Sequence, residues 1–402
     1  MSVTINRSQL FRASCLSLLV TSLSFGIRAG ILNQLGTDFH LDTAQLSLIT
    51  STAFWGFPIA VVIGGMIVDV IGMKRLLVIA FLLHLLGIVL TIFAGGFWTL
   101  YISTLFIGLA NGTVEAACNP LVTTLYPDSK ATKLNHFHLW FPGGIFIGTL
   151  IVLLFTKLHL NWQIQVGIMI IPTLIYGYLF SKLDFPVTER VSSGVSTAGM
   201  YKAVASPLFI FMFICMCGTA VTELYTEQWV PVLLKNISNP ILIVTATSGI
   251  MVLGRGSAKP VLKQFAPQTV LLMSSIIAAI GLYLLYSSTG NIFVDAIIFG
   301  IGVCFFWPTM LGFVNQNLPQ TGALGLNLMG GAGMFTVSLY TIYMGKHYDT
   351  MVQQLNGDTT LAGHNVLYIT LFIPIVLIFA FAGLVMYMKA KNKTKPLQEV
   401  AV

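Results

Sequence analysis

The stretch that decides the fold is Gly65-Met-Ile-Val-Asp69-Val-Ile-Gly72-Met-Lys74-Arg75, a short polar turn between two long apolar segments. Its glycines allow close helix approach and a tight turn. Asp69 can pair with a basic side chain or cap a neighbouring helix end, and either contact would hold one conformation. Lys74 and Arg75 place the turn on the cytosolic side of a membrane. We therefore predict that these five named residues control a conformational change.

The composition around this turn is that of a membrane protein. Of 402 residues, 56% are hydrophobic and only 8% are charged, whereas soluble proteins carry about 25% charged residues. The net charge of +7 comes from short basic runs between apolar segments, so it does not indicate nucleic-acid binding. The five cysteines show no metal-site spacing, and we expect neither a metal nor a cofactor.

Twelve apolar segments are each long enough to cross a hydrocarbon core of ~30 Å. They cover residues 11–36, 44–70, 76–95, 97–126, 134–156, 163–183, 204–234, 240–262, 268–288, 290–317, 321–345 and 364–389. The Lys and Arg residues of the connecting segments predict that both termini are cytosolic. Fifteen then lie on the inner side: Arg7, Arg12, Lys74, Arg75, Lys130, Lys133, Lys182, Arg190, Lys202, Lys259, Lys263, Lys389, Lys391, Lys393 and Lys395. Three lie on the outer side: Lys157, Lys235 and Lys346.

A polar loop after the sixth segment divides the chain into two equal groups. We predict an N-terminal six-helix bundle in residues 1–184, a cytosolic linker in 185–202, a C-terminal six-helix bundle in 203–391 and a cytosolic tail in 392–402. The expected fold class is an all-α membrane protein with twelve transmembrane helices in two six-helix bundles. Such halves rock around a site near the middle of the membrane. The expected location is the plasma membrane, which is the inner membrane in a bacterial cell.

The stretch at 65–75 resembles the G-x-x-x-D-x-x-G-x-K/R-R/K signature of the major facilitator superfamily. The resemblance implies the major facilitator fold, transport by alternating access, and a monomer. The corresponding loop of the second half, GRGSAKP at 254–260, lacks the aspartate. We interpret it as a degenerate copy of the motif.

A carboxylate, Glu115, lies deep inside the fourth apolar segment. It precedes the cytosolic end by ~11 residues, which places it ~16 Å into the membrane, near its centre. An ionisable side chain in hydrocarbon costs several kcal/mol unless it is paired or faces water, so it is read first as functional. Because burial disfavours the charged form of a carboxyl group, Glu115 is suited to load and release a proton. A structural carboxylate in a permanent pair is the alternative.

The sequence EAACNPLVTTLYP at 115–127, followed by KLN at 133–135, resembles the fucose–proton symporter family. There the fourth helix carries E-x-A-A-N-P-x-V-T-x-L-G-P and the fifth opens R-L-N-x-A-Q. The resemblance implies that Glu115 carries a proton and binds the sugar, and that Asn119 and Asn135 belong to the substrate site. The glutamine of the family's fifth helix falls on His138, so we expect His138 to contact substrate in the cavity. The family's following asparagine falls on Phe141. The acidic residue of its first helix has no counterpart, because residues 25–30 read FGIRAG.

Arg28 is the expected partner of Glu115. Arginine binds carboxylates and phosphates with two parallel hydrogen bonds, and flanking glycines leave room for another group to approach. Arg28 would either support proton coupling through Glu115 or bind an anionic substrate. The sequence SFGIR at 24–28 is similar to the first helix of the anion–cation symporters, where an arginine meets a substrate carboxylate.

Helices of the second half supply further candidate substrate ligands. Glu223 and Glu227 are four residues apart on the seventh segment, where paired carboxylates can bind a cation or a proton and Tyr225 can stack on a sugar. The alternative is a wet segment near the outer surface, with Trp229 as an interfacial anchor. On the tenth and eleventh segments we expect Trp307 and Asn327 to contact substrate.

The leading functional hypothesis is a proton-coupled symporter that imports a small polar solute, such as a sugar, by alternating access. Its expected partners are the solute, a proton or sodium ion, and the lipid bilayer. An organic-anion symporter that uses Arg28 and a proton-driven efflux transporter are the alternatives. The sequence shows no nucleophile–base arrangement, paired metal ligands or Walker motif, so we expect no enzyme and no catalytic residues.

Overall fold

The protein is almost entirely helical. The computed structural model describes residues 5–41, 43–192, 194, 196–234, 241–287 and 291–394, and these ranges contain no β-strand. The α-helices of the first part of the chain are α1 Arg7–Asp38, α2 Thr43–Ile71, α3 Met73–Ile92, α4 Phe97–Leu125, α5 Lys130–His138, α6 Trp140–Lys157, α7 Trp162–Gly167, α8 Ile170–Lys182, α9 Glu189–Ser192 and α10 Thr197–Val204. Those that follow are α11 Pro207–Ala220, α12 Thr226–Leu233, α13 Ile241–Gly256, α14 Ala258–Gln264, α15 Pro267–Ser287, α16 Ile292–Val303, α17 Phe306–Asn317, α18 Gly322–Gln354 and α19 Thr359–Thr394.

The described residues contain eleven helical spans that are long and apolar enough to cross a membrane. A twelfth span results if α13 and α14, which meet at an angle of 58°, are counted together. The prediction of an all-α membrane protein with about twelve spans agrees with these helices. The bend between α13 and α14 falls in the loop that we interpreted as a degenerate motif.

Close approach of the helices depends on small residues, because lipid supplies little hydrophobic drive for helix association. At Gly112 of α4, an added Cβ would lie 2.2 Å from the backbone oxygen of Phe57 on α2. At Gly302 of α16, it would lie 2.3 Å from the backbone nitrogen of Ala278 on α15. Larger residues would force these helices apart.

Two groups of helices pack internally and then against each other. In the first group, which we call the first half, α2 and α3 pack on α4, and α1 packs on α6. In the second half, α15 packs on α16 and α19, and α11 packs on α18. The halves meet where α2 packs on α18, α6 on α13 and α5 on α17. This interface is where a site between the halves would lie.

The polar loop between the halves is attached to the first half at its beginning. Thr188 donates a hydrogen bond to Oδ1 of Asp69, and Lys130 pairs with Glu189 at 2.6 Å. The backbone nitrogen of Glu189 also donates to the hydroxyl of Thr124 at 3.2 Å. Helix α10, by contrast, contacts the second half. We call the end of the molecule that carries these contacts the linker side.

The other residues of the 65–75 stretch also lie at structural junctions. Gly72 has a φ of +86°, a conformation that favours glycine, and it precedes α3. Lys74 donates to the backbone oxygen of Leu183 at 2.9 Å, while Arg75 is exposed. An added Cβ at Gly65 would lie 2.7 Å from Cβ of Asn327, so Gly65 permits contact between the two halves.

The two halves share a local repeat on the linker side. A 3₁₀ turn at Pro127–Ser129 precedes α5, and a 3₁₀ turn at Pro319–Thr321 precedes α18. Each opening proline is followed at the same spacing by a buried asparagine, Asn135 or Asn327. The halves thus turn back into the membrane in the same way.

Candidate functional site

A small cavity of about 270 Å³ lies between the two halves. Its lining combines carboxylates, a guanidinium, an imidazole and aromatic rings. The first half contributes Phe57, Glu115, His138 and Phe141, and the second half contributes Glu223, Leu224, Arg255, Trp307 and Met334.

Glu115 is buried on the cavity wall and held by neutral partners. Its exposed fraction is 2%, and Nδ2 of Asn119, one turn further along α4, donates to Oε2 at 2.6 Å. Oδ1 of Asn119 can only accept, so Nε2 of His138 donates to it at 2.9 Å. The other ring nitrogen of His138, Nδ1, then faces Oε1 of Glu115 at 3.8 Å. A proton on Glu115 therefore has a nearby acceptor.

Arg255 is the cation of the cavity wall and contacts both halves. It is 1% exposed. Its Nη2 donates to Oε1 of Glu223 at 2.6 Å, and its Nε donates to the backbone oxygen of Cys304 at 2.6 Å. Its Nη1 crosses to the first half and donates to the backbone oxygen of His138 at 2.7 Å. One guanidinium on α13 thus contacts α5, the break between α16 and α17, and Glu223.

A π-helical turn at Val221–Tyr225 joins α11 to α12 and carries Glu223. Such turns insert an extra residue into a helix and often occur at functional sites. Glu223 and Glu227 are both buried, which excludes the alternative of wet glutamates at the outer surface. They have separate partners, because Ser248 donates a hydrogen bond to Oε1 of Glu227. Oε2 of Glu223 has no hydrogen-bond partner among the described residues.

Trp307 forms an aromatic part of the wall and packs on the glycines of α18. An added Cβ at Gly333 would lie 2.9 Å from Cζ3 of Trp307, so the glycine makes room for the indole. On the other side of the cavity, the ring of Phe141 lies 5.8 Å from that of Phe25. Flat rings on both sides suit a ligand with apolar faces.

The structure brings some of the predicted site residues together and leaves others apart. Glu115, His138, Glu223 and Trp307 line the cavity, and Asn119 bonds to the first two of them. The remaining candidates, whose placement follows, are absent from its lining. They are Arg28, Asn135, Tyr225 and Asn327.

Arg28 does not pair with Glu115, and that structural expectation is corrected. It is half-buried, and its guanidinium carbon lies 6.0 Å from the ring centre of Phe25. Among the described residues it forms no ion pair. The position of Arg28 in the sequence indicated depth in the membrane but not which face of α1 it occupies.

The other three candidates make contacts within the protein. Asn135 donates to the backbone oxygen of Ala131 at 2.9 Å, and Asn327 donates across the halves to that of Ala116 at 3.1 Å. Tyr225 is packed between Trp229 and Tyr340, with ring centres 6.1 and 4.8 Å away. A role in substrate binding stays a prediction for all three.

Arg255 is not among the site residues expected from the sequence, because it lies in the stretch GRGSAKP at 254–260, which reads as a loop. A usable signal was present, since residue 255 falls inside the predicted eighth segment, 240–262. A charged residue within a span is functional by default, and the same reasoning had selected Glu115. The bend after α13 obscures the charge within the span, because the basic residues that follow Arg255 make the whole stretch look like a polar loop.

The sequence matches the Major Facilitator Superfamily profile over residues 14–339. A curated relative, "Solute carrier family 2, facilitated glucose transporter member 10" of Danio rerio, is 29% identical over 164 residues, which are 40% of this chain and 32% of that protein. The match thus spans about a third of the length of such relatives.

Solved structures share the fold. The fucose:proton symporter of E. coli superposes with a TM-score of 0.68 at 17% identity and covers 91% of this chain and 98% of its own. A D-xylose–proton symporter gives a TM-score of 0.71 at 13% identity, with 91% and 96% covered. With the family profile, the helical spans and the cavity between two halves, these findings show that this chain belongs to the major facilitator superfamily of multi-pass membrane transporters.

Proposed function

We propose that this transporter is a proton-coupled symporter that takes up a small polar solute, most simply a sugar. The observation that carries the proposal is the environment of Glu115. Among the described residues its carboxyl group accepts a hydrogen bond only from neutral Asn119, and no guanidinium donates to it. A carboxyl group that is hydrogen-bonded only to a neutral amide can gain or lose a proton without breaking an ion pair. We infer that Glu115 carries a proton in the closed state.

Proton exchange in this proposal uses His138. With Nε2 donating to Asn119, neutral His138 presents the lone pair of Nδ1 to the Glu115 carboxyl group, 3.8 Å away. A small movement brings the two groups into hydrogen-bond range, and the proton can pass to the imidazole. Opening of the cavity to water on one side then favours the charged carboxylate and releases the proton there. Alternating access makes the release one-sided.

The lining of the cavity supports a polar, uncharged solute. Glu115 and Glu223 offer acceptors for hydroxyl groups, and Arg255 offers a donor beside them. Trp307 and Phe141 provide flat apolar surfaces of the kind that pack on a sugar ring. The names of the similar proteins, a glucose transporter and symporters of fucose and D-xylose, support the same class of solute.

The test compares two carboxylate-to-amide variants in proteoliposomes. Glu115→Gln removes the proposed proton carrier and keeps its shape, so we expect uptake driven by an imposed pH gradient to fall to background while sugar counterflow is retained. Asp295→Asn is the matched control, since Asp295 is also buried, at 4% exposure, but lies in the first turn of α16 and outside the cavity lining. Unchanged pH-driven uptake in Glu115→Gln would refute the proposal. Uptake driven by a sodium gradient at constant pH would assign sodium instead.

An organic-anion symporter is the second candidate, and the state of Arg28 favours it. Among the described residues this half-buried guanidinium has no ion-pair partner. An unpaired arginine in a membrane helix is suited to a carboxylate substrate. Arg28→Lys separates the two candidates, because lysine cannot bind a carboxylate with two parallel hydrogen bonds.

A further inference from the structure

Three prolines near the cavity leave backbone carbonyls without an intrahelical donor. A proline has no N–H, so the carbonyl four residues before it loses its helical hydrogen bond. Pro120 lies inside α4 and frees the carbonyl of Ala116. Pro142, at the start of α6, and Pro308, at the start of α17, free the carbonyls of His138 and Cys304. We call these three groups the proline-freed carbonyls.

Each proline-freed carbonyl accepts a hydrogen bond from a side chain of the second half. Nη1 and Nε of Arg255 donate to His138 at 2.7 Å and to Cys304 at 2.6 Å. Nδ2 of Asn327 donates to Ala116 at 3.1 Å. A buried carbonyl without a partner is costly, and so is a buried guanidinium, so each stabilises the other. The contacts to His138 and Ala116 cross from one half to the other.

The helix irregularities of the cavity therefore meet at one side chain. Arg255 lies in the last turn of α13, just before the 58° bend, and it binds Glu223 of the π-helical turn. Its two carbonyl partners lie at the break between α5 and α6 and at the break between α16 and α17. Glu223 also lines the cavity. The same guanidinium therefore contacts a carboxylate of the cavity and the carbonyls at both breaks.

We propose that Arg255 is a positioning residue that couples the Glu223 wall of the cavity to closure of the linker side. It acts by docking on the carbonyls freed by Pro142 and Pro308, and Asn327 reinforces it at the carbonyl freed by Pro120. A solute that engages Glu223 draws Arg255 away from the first half, and the two halves then separate. The proposal goes beyond solute identity and proton coupling, because it requires only that the halves move.

The experiment restores the missing backbone N–H at residue 142 and measures how far the two halves are closed on the linker side. Spin labels are placed at two exposed residues near the linker side, Lys182 after the sixth span and Gln264 at the end of α14, in a background free of native cysteines. In Pro142→Ala, the new N–H of α6 can donate to the His138 carbonyl, so this carbonyl depends less on Arg255 and the contact of Arg255 with the first half is weakened. We expect the ratio of closed to open distances to fall about tenfold without solute, the size expected for one charge-assisted hydrogen bond.

The matched control is Pro374→Ala. Pro374 also lies inside a membrane helix, α19, and its replacement restores the same N–H outside the cavity lining. We expect its distance distribution to equal that of the unsubstituted protein. Equal distributions for Pro142→Ala and the unsubstituted protein would overturn the proposal.

Arg255→Lys is the second variant, and it decides the question if Pro142→Ala fails to fold. Lysine keeps the charge beside Glu223 but lacks the fork that reaches two carbonyls and a carboxylate together. We expect the same shift towards open distances. A purely structural role would instead lower the melting temperature and leave the distances unchanged, which would refute coupling. In transport, Pro142→Ala should lower the half-saturation concentration for counterflow, because solute binding no longer has to break the contact of Arg255 with the first half.

Discussion

Arg28 and Arg255 both lie in helices that the membrane surrounds, yet their surroundings differ. Arg255 has a hydrogen-bond partner on each of its three nitrogens, including Glu223. Arg28 lies against the ring of Phe25 and is half-buried. Arg255 is thus anchored by protein groups, whereas Arg28 forms no ion pair within the described part of the chain.

The residue-scale prediction concerns Arg28→Lys. This change keeps the charge and removes the two-pronged geometry that binds carboxylates. If the solute is a neutral sugar, uptake is retained, because Arg28 is outside the cavity lining. Uptake of sugars and of sugar acids is measured side by side, with Arg12→Lys, an exposed arginine on the same helix, as control. A selective loss of sugar-acid transport in Arg28→Lys, about tenfold or more, would replace the sugar hypothesis with the organic-anion one.

Sequence reasoning found some site residues and missed others for a physical reason. Glu115 can be identified from the sequence because a carboxylate inside an apolar segment costs free energy whichever way its side chain points. The partner of Glu115 could not be deduced in the same way, since membrane depth says nothing about helix rotation or packing. His138 was selected through a family resemblance, whereas Arg255 was overlooked at a helix end that reads as a loop.

At the scale of elements, the predicted spans agree with the helices but not with their irregularities. The second segment was predicted at 44–70, and α2 covers Thr43–Ile71. The length of a hydrophobic run indicates the length of a membrane span, so the agreement between the predicted segment and α2 is expected. The π-helical turn at Val221–Tyr225 and the 58° bend after α13 were not predicted, because no hydropathy pattern encodes them.

The element-scale prediction concerns the contact of α2 with α18. In Gly65→Ala, the new Cβ would lie 2.7 Å from Cβ of Asn327, a distance that requires the helices to shift. Overpacking of this kind costs about 1–3 kcal/mol. We expect a lower melting temperature for the detergent-purified protein. Gly95→Ala, where an added Cβ meets no heavy atom within 4 Å, serves as the control. Equal melting temperatures for the two variants would show that α2 and α18 are not in contact in solution.

At the scale of the whole molecule, the distribution of basic residues makes a prediction about orientation. Fifteen lysines and arginines in the predicted inner segments against three in the outer ones place the linker side in the cytosol. Single cysteines are introduced at Lys182 and Lys157, both of which are exposed. In intact cells, an impermeant maleimide should label Lys157→Cys and spare Lys182→Cys. The reverse pattern would invert the topology and the direction of transport that we propose.

The way in which the polar loop is anchored limits how far the bundles can swing. Thr188 and Glu189 contact the first half and α10 contacts the second, so the length of chain between these two sets of contacts limits how far the halves can separate. We expect an insertion between these two sets of contacts to be tolerated, since the entropic cost of closing a longer connection grows slowly with its length. A deletion in the same place should instead restrict the separation of the two halves, so the transporter would not reach its fully open conformation.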